Sequence, residues 1–286
     1  MESFFPMAWQ PFTPRGVAQF AATANTRLLL VQFFFALAAA AAVTWTFHAA
    51  WGGTLAQAVA ALPERSEIRA GRLEWPDASP RLLAEGRCLS VSVDLEHSGA
   101  LRGGAHVQVE LGRTSARIIS LFGYWDLPYP KEFIFALNRT EAWPWWGAWS
   151  PVILATVFIG TLAGFLVIWS VLSWFYAAPV WLLAFLADRA MGFPGAWRLS
   201  GAAQMPGALL LTLGIGGYGL GIFDLVQGLV LGGAHFVLSW GYMIAGIWAV
   251  PRVERGGGNN PFTADAADPT SKTSPASKGN PFKSKE

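Results

Sequence analysis

Two histidines and three acids lie close together in residues 90–111, and these residues could do chemistry. They are Asp94, Glu96, His97, His106 and Glu110. Two imidazoles and a carboxylate form a ligand set that zinc accepts, and a histidine beside a carboxylate can serve as a general acid or base. The segment therefore suggests a metal or acid/base site, provided that the fold brings these side chains together.

Alternating apolar residues around the histidines predict two half-buried strands. Leu89, Val91, Val93 and Leu95 share one face, as do Val107, Val109 and Leu111. The stretch HSGALRGGA between them is rich in glycine and serine, so the pair is expected to form a β-hairpin. On such a hairpin Asp94 and His106 point away from the apolar face and could lie near each other.

The spacing of the histidines matches no zinc motif. The chain also contains no Gly-x-Ser-x-Gly elbow, no phosphate loop and no His-Glu-x-x-His. The single cysteine, Cys88, excludes an internal disulfide and a site built from several cysteines. We therefore expect no cofactor and no catalytic residues, and we interpret the polar hairpin face as solvated. A metal or acid/base site there stays an alternative.

The composition indicates a membrane protein. Hydrophobic residues make up 53% of the 286 residues and charged residues only 13%, against roughly 25% in an average soluble domain. The mean hydropathy is +0.38. The net charge of +2 comes from basic residues that do not cluster, so nucleic acid is not an expected partner. The lipid bilayer is the expected partner.

Four apolar runs have the length of about 20 residues that a membrane-spanning helix needs. They are 28–50, 150–175, 206–223 and 229–250, with a break between the last two at FDLVQG. The apolar piece 179–187 is too short to cross, and Pro179 should end or kink the preceding helix. We therefore predict a cytoplasmic amphipathic connection over 176–205. The alternative is that the apolar piece 179–187 belongs to an additional span.

The remaining segments complete a four-helix membrane bundle. Residues 1–27 form a partly amphipathic N-terminus, 51–148 a β-rich module of three to five strands between helices 1 and 2, and 251–286 a disordered tail. Outside the module, every Lys and Arg falls on one side of this topology: Arg15, Arg27, Arg189, Arg198, Arg252, Arg255, Lys272, Lys278, Lys283 and Lys285. Because basic residues stay inside, both termini are expected in the cytoplasm and the module outside the inner membrane of a bacterium. A cleaved signal peptide within 1–50 is the alternative.

Few polar residues fall inside the predicted spans. Ionisable groups there usually mark transport paths, and His235 is the one candidate, with Asp224 placed at the turn between the last two spans. Gly160–Gly164, Gly217–Gly221 and Gly228–Gly232 are spaced four apart, which allows close helix packing or a homo-oligomer. The tail repeats Asn-Pro-Phe as Asn260, Pro261, Phe262 and Asn280, Pro281, Phe282, a candidate motif for a protein partner.

The order of parts resembles a domain-of-unknown-function family of bacterial membrane proteins, one branch of which carries the label of maltodextrin-utilisation proteins. The resemblance extends over about residues 11–250 and leaves out the tail. It is carried by PFTPRGVAQF, LPERSEIRAGRLE, SVDLEHSG, HVQVELGRTSARII and LSGAAQMPGALLLTL. It implies no catalytic residues, and it implies that Asp94 and Gly99 form a turn.

Three functional hypotheses follow. The first is a non-enzymatic accessory, scaffold or sensor component of a bacterial envelope or transport system, with protein partners at the module and the tail. The second is a small transporter or channel subunit with a path along the last two spans past His235. The third is a membrane-embedded enzyme that uses Asp94, His97 and His106.

Overall fold

Four long apolar helical segments and a small β-sheet region make up the computed structural model, which describes residues 11–253. The segments long and apolar enough to cross a membrane are Asn25–Ala60, Arg139–Leu186, Phe193–Gly219 and Leu225–Ala249. The helices are α1 (Pro14–Phe20), α2 (Asn25–Phe47), α3 (Gly53–Ala60), α4 (Arg139–Leu186), α5 (Phe193–Ala203), α6 (Met205–Gly219) and α7 (Leu225–Ala249). A π-helical turn, His48–Gly52, joins α2 to α3.

Helix α4 is much longer than the predicted span over 150–175. Its 48 residues extend about 72 Å at 1.5 Å per residue. Pro179 was expected to end or kink the helix, and it does not end it, because α4 continues to Leu186. Buried residues continue at helical spacing on both sides of the proline, at Ser173, Ala177, Val180 and Ala184, so packing against the bundle holds the helix through the lost hydrogen bond.

Helix α5 packs into the core of the bundle. Leu199, Ala202 and Ala203 are fully buried. They pack with Val17 and Phe20 of α1, with Val180 of α4 and with Met243 of α7. The predicted connection over 176–205 is thus wrong in character, because its first half continues α4 and its second half is a buried helix.

The sheet region has seven strands, in a two-stranded and a five-stranded sheet. The strands are β1 (Glu67–Arg69), β2 (Arg72–Glu74), β3 (Arg81–Glu85), β4 (Leu89–Val93), β5 (Val107–Leu111), β6 (Ser115–Ser120) and β7 (Gly123–Pro128). The first two pair with each other, and the larger sheet has the order β3-β4-β5-β6-β7. Three to five strands were predicted, and the module has more.

Strands β4 and β5 are parallel neighbours, so the predicted hairpin is wrong. Leu89 lies opposite Val107, and Val93 lies opposite Leu111. Parallel strands need a crossover of about a dozen residues, and residues 94–106 are long enough to form one. The stretch HSGALRGGA is therefore a return connection and not a turn.

The return connection covers the polar face of the two strands. Ser90, Ser92 and Glu110, which were predicted to face solvent, are buried. At the far end of the connection Gln108 Nε2 donates to the Gly103 carbonyl at 2.6 Å. The opposite face behaves as predicted, since Leu89, Val91 and Val93 pack with α3 in an apolar core.

Candidate functional site

The sheet contacts the end of helix α6 through two residues that precede neighbouring strands. Arg87 lies just before β4 and His106 just before β5, and the parallel register places both at one end of the sheet. Tyr218 in the last turn of α6 meets them. His106 Nδ1 and the Tyr218 hydroxyl are 2.6 Å apart, and the two rings stack with their centroids 5.7 Å apart.

Arg87 strengthens the same contact. Its Nη2 donates to the Tyr218 carbonyl at 2.5 Å, and its guanidinium carbon lies 5.5 Å from the centre of the tyrosine ring. A cation at a helix C-terminus satisfies a free carbonyl and suits the helix dipole. Gly221 makes room for it, because its φ is +77° and an added Cβ would lie 2.8 Å from Arg87 Nη1. Arg87, His106 and Tyr218, here called the α6 joint, fix the sheet to the helix end.

This joint was not predicted from the sequence. His106 was expected near Asp94, but the parallel register puts these residues at opposite ends of β4 and β5. Six residue steps along a strand separate the two ends, or about 20 Å. The expected proximity of Asp94 and His106 is therefore wrong, and with it the acid/base pair built on them.

Asp94 organises the start of the return connection. Its carboxylate accepts from Ser98 Oγ at 2.6 Å and from the backbone N–H groups of Gly99 at 3.1 Å and Glu96 at 3.3 Å. Burial works against the charged form, but these hydrogen bonds outweigh it and lower the pKa of Asp94 below its usual 3.8. The carboxylate thus holds a turn, as the family resemblance implied for Asp94 and Gly99.

His97 lies between an acid and a hydroxyl beneath the same connection. Its Nδ1 hydrogen-bonds to Glu110 Oε1, and its Nε2 lies 3.5 Å from Ser115 Oγ. Serine, histidine and a carboxylate in this order resemble a hydrolase triad. However, 3.5 Å is long for an activated nucleophile, and an added Cβ on Gly112 would lie 2.1 Å from His97 Nε2. The ring packs against Gly112, and the network holds the connection onto β5.

No group of three or more His, Cys, Asp or Glu side chains within residues 11–253 is arranged to hold a metal ion. Asp224 caps helix α7, accepting from Gln227 N at 2.7 Å. It lies in the connection between α6 and α7, close to the predicted turn. His235 hydrogen-bonds through Nδ1 to the Gly232 carbonyl of its own helix. Both side chains thus make these hydrogen bonds within α7 or at its N-terminus.

An apolar groove runs between α6 and α7 beside the α6 joint. Its volume is about 190 Å³, and it is lined by Leu211, Gly214, Ile215, Tyr218, Leu225, Gly228, Leu229, Leu231 and Gly232. Two of the spaced glycines, Gly228 and Gly232, therefore form a groove wall here. His235 is not among the lining residues, so this groove supplies no path past it.

A second cavity, of about 460 Å³, lies at the π-helical turn. His48, Trp146 and Ser150 give it a partly polar lining between the end of α2 and α4. π-turns often occur at functional sites, and the volume falls within the range of small-molecule pockets. His48 was not predicted as a site residue, because a π-helical turn within a long apolar run has no recognisable sequence pattern.

Comparison of the chain with protein-family models, with curated proteins and with solved structures gave no match. The repeated Asn-Pro-Phe motif (Asn260–Phe262 and Asn280–Phe282) lies outside the described residues.

Proposed function

We propose that this chain is a non-enzymatic accessory or scaffold protein of a bacterial envelope or transport system. The four apolar helical segments would cross the inner membrane, with both termini in the cytoplasm and the sheet module outside. The basic residues support this orientation. Arg198 Nη2 donates to the Ala21 carbonyl at 2.7 Å and Arg189 Nη1 to the Val250 carbonyl at 2.9 Å, so two of the arginines mark one end of the bundle.

The observation that carries the scaffold proposal is the open edge of the sheet. Strand β7 pairs only with β6 in the described sheet, and all six of its residues are exposed. Tyr124 and Trp125 are each 69% exposed. An apolar edge strand with unpaired backbone groups is a template for an added strand. We assign β7 to an extended segment of an envelope protein, which would lie beside it as a further strand.

The α6 joint supports the mechanical side of the proposal. Four interactions hold the sheet on the end of α6, the last part of the membrane-length segment Phe193–Gly219. A partner bound at β7 would therefore be held at a fixed place relative to the bundle. The same coupling would let a displaced sheet pull on α6, as a sensor requires. The relationship to the maltodextrin-utilisation-like family stays a prediction, which gene neighbourhood would test.

Photocrosslinking from β7 tests the scaffold function. A benzoylphenylalanine replaces Trp125 in the full-length protein expressed in cells, and a matched variant carries it at Glu74, which is exposed on β2. We expect a discrete adduct with a second protein from position 125 and none from position 74. Adducts with another copy of this chain, or no protein adduct from position 125, would overturn the proposal.

A further inference from the structure

The turn between β6 and β7 exposes two large apolar side chains. Phe122 is 86% exposed and Leu121 is 62% exposed. The Ser120 side chain contributes to the shape of the turn, since Phe122 N donates to Ser120 Oγ at 3.3 Å. A turn that presents a phenylalanine and a leucine to its surroundings points to an apolar or interfacial environment.

The strand register places this turn, here called the apolar tip, at the end of the sheet that contacts α6. Ser120 lies opposite Val107, and Val107 lies opposite Leu89. Arg87 and His106, which contact Tyr218, lie at this same end of the sheet. Because β6 and β7 lie beyond β5, and neighbouring strands are about 4.8 Å apart, the tip is displaced sideways from the α6 joint by roughly 10 Å.

The other end of the sheet has the opposite character. The turn between β5 and β6 carries Arg113 and Thr114, both exposed, and Arg113 Nη2 donates to Glu96 at 2.5 Å. The two turns at opposite ends of β6 thus differ: the far one is charged and polar, and the one level with the α6 joint carries Leu121 and Phe122. This polarity is the one expected of a module that rests on a lipid surface.

We propose that the apolar tip inserts into the outer leaflet of the bilayer beside the helix bundle. Leu121 and Phe122 would occupy the boundary between headgroups and acyl chains, where amphipathic and aromatic side chains are stabilised. The lipid contact would give the module a second attachment, to the side of the α6 joint. The inference rests on the proposed membrane orientation.

Depth measurement by spin labelling tests the inference in the full-length protein. The labels replace Phe122, Thr114 at the opposite end of the sheet, and Ile159 in the middle of α4, each in a Cys88→Ala background. The protein is reconstituted in nanodiscs of phosphatidylethanolamine and phosphatidylglycerol. We expect the Phe122 label to be more accessible to oxygen than to a water-soluble nickel chelate, like the Ile159 label. The Thr114 label should show the reverse.

The three labels separate the possible failures. If the Ile159 label is accessible to nickel and not to oxygen, the proposed membrane placement itself fails. If the Ile159 label lies in lipid while the Phe122 label is as exposed to nickel as the Thr114 label, the tip inference alone is overturned. Spin–spin broadening at Phe122 that disappears on dilution with unlabelled protein would assign the tip to a second copy of the chain, which also overturns it.

Discussion

Tyr218 makes four interactions through its side chain and its carbonyl, and substitution separates those of the hydroxyl from those of the ring. Tyr218→Phe removes only the hydroxyl that meets His106 Nδ1, at a cost of about 1 kcal/mol. Tyr218→Ala also removes the ring stacked on His106 and lying under Arg87, and should cost a further 1–2 kcal/mol or so.

Amide hydrogen exchange at the start of β4 and β5 measures the loss. Exchange there should accelerate slightly in Tyr218→Phe and strongly in Tyr218→Ala. Tyr242→Phe is the matched control, because its hydroxyl donates to the Phe12 carbonyl at 3.0 Å. That variant should leave the sheet unchanged. Equal exchange in wild type and Tyr218→Ala would show that the joint does not hold the sheet.

Asp94 gives the sheet a dependence on acid pH. Its pKa is lowered in the folded protein, so its contribution to stability is present above the unfolded value near 3.8 and is lost as pH falls through the folded pKa. Asp94→Asn should lower the free energy of unfolding of the full-length protein in detergent by about 1–3 kcal/mol at pH 7.

Denaturant unfolding at pH 7 and pH 3 checks this expectation. The difference between wild type and Asp94→Asn should shrink at pH 3, because this pH lies below the unfolded pKa near 3.8 and the contribution of the charge declines from there towards the lowered folded pKa. Glu96→Gln is the control, because the Glu96–Arg113 pair is exposed and should contribute little at either pH. A difference that stays constant between the two pH values would contradict the role of the charge.

At the scale of single elements, side-chain periodicity predicted the strands and their buried faces. It did not predict how the strands are connected. The alternation of Leu89, Val91 and Val93 correctly predicted a strand and the face that joins the core. It could not distinguish an antiparallel from a parallel neighbour, because both orientations preserve the period of two. The polar face was predicted to be solvated, because a hairpin turn would have left it open. In the parallel arrangement the connection between β4 and β5 covers it.

Helix boundaries failed where tertiary packing overrode local preference. Pro179 is unfavourable inside an isolated helix, but the buried stripe through Ala177 and Val180 continues across it. Likewise, α5 was predicted to be part of a surface connection, and it packs in the core instead. Small residues such as Gly201 let α2 approach closely, since an added Cβ there would lie 2.9 Å from a Leu28 methyl carbon.

Gln32 tests the packing between α2 and α5. Its side chain is fully buried, and among the described residues neither amide atom has a hydrogen-bond partner. Since an unpaired buried amide is costly, Gln32→Leu should raise the unfolding temperature, corresponding to about 1–2 kcal/mol. Gln204→Leu should lower it, because Gln204 Nε2 donates to Ser173 Oγ at 2.8 Å. Thermal unfolding in detergent gives the comparison, and a destabilised Gln32→Leu would mean that Gln32 has a partner in solution.

At the scale of the whole molecule, hydropathy was the most reliable guide. Four apolar segments were predicted, and four helical segments of sufficient length and apolarity are present in the described part of the chain. The placement of the sheet on α6 could not be predicted. It depends on His106 and Tyr218, which are 112 positions apart, and nothing in the local pattern around either residue indicates the other.

Sidedness is the central claim, because the scaffold role and the lipid contact both require the sheet outside and the α4–α5 connection inside. A membrane-impermeant maleimide applied to intact spheroplasts measures it directly, with single cysteines at Thr114 and Ala190, both exposed, in the Cys88→Ala background. We predict that the Thr114 cysteine is labelled at once, and that the Ala190 cysteine is labelled only after the membrane is disrupted. Labelling of the Ala190 cysteine in intact spheroplasts would contradict the four-span orientation.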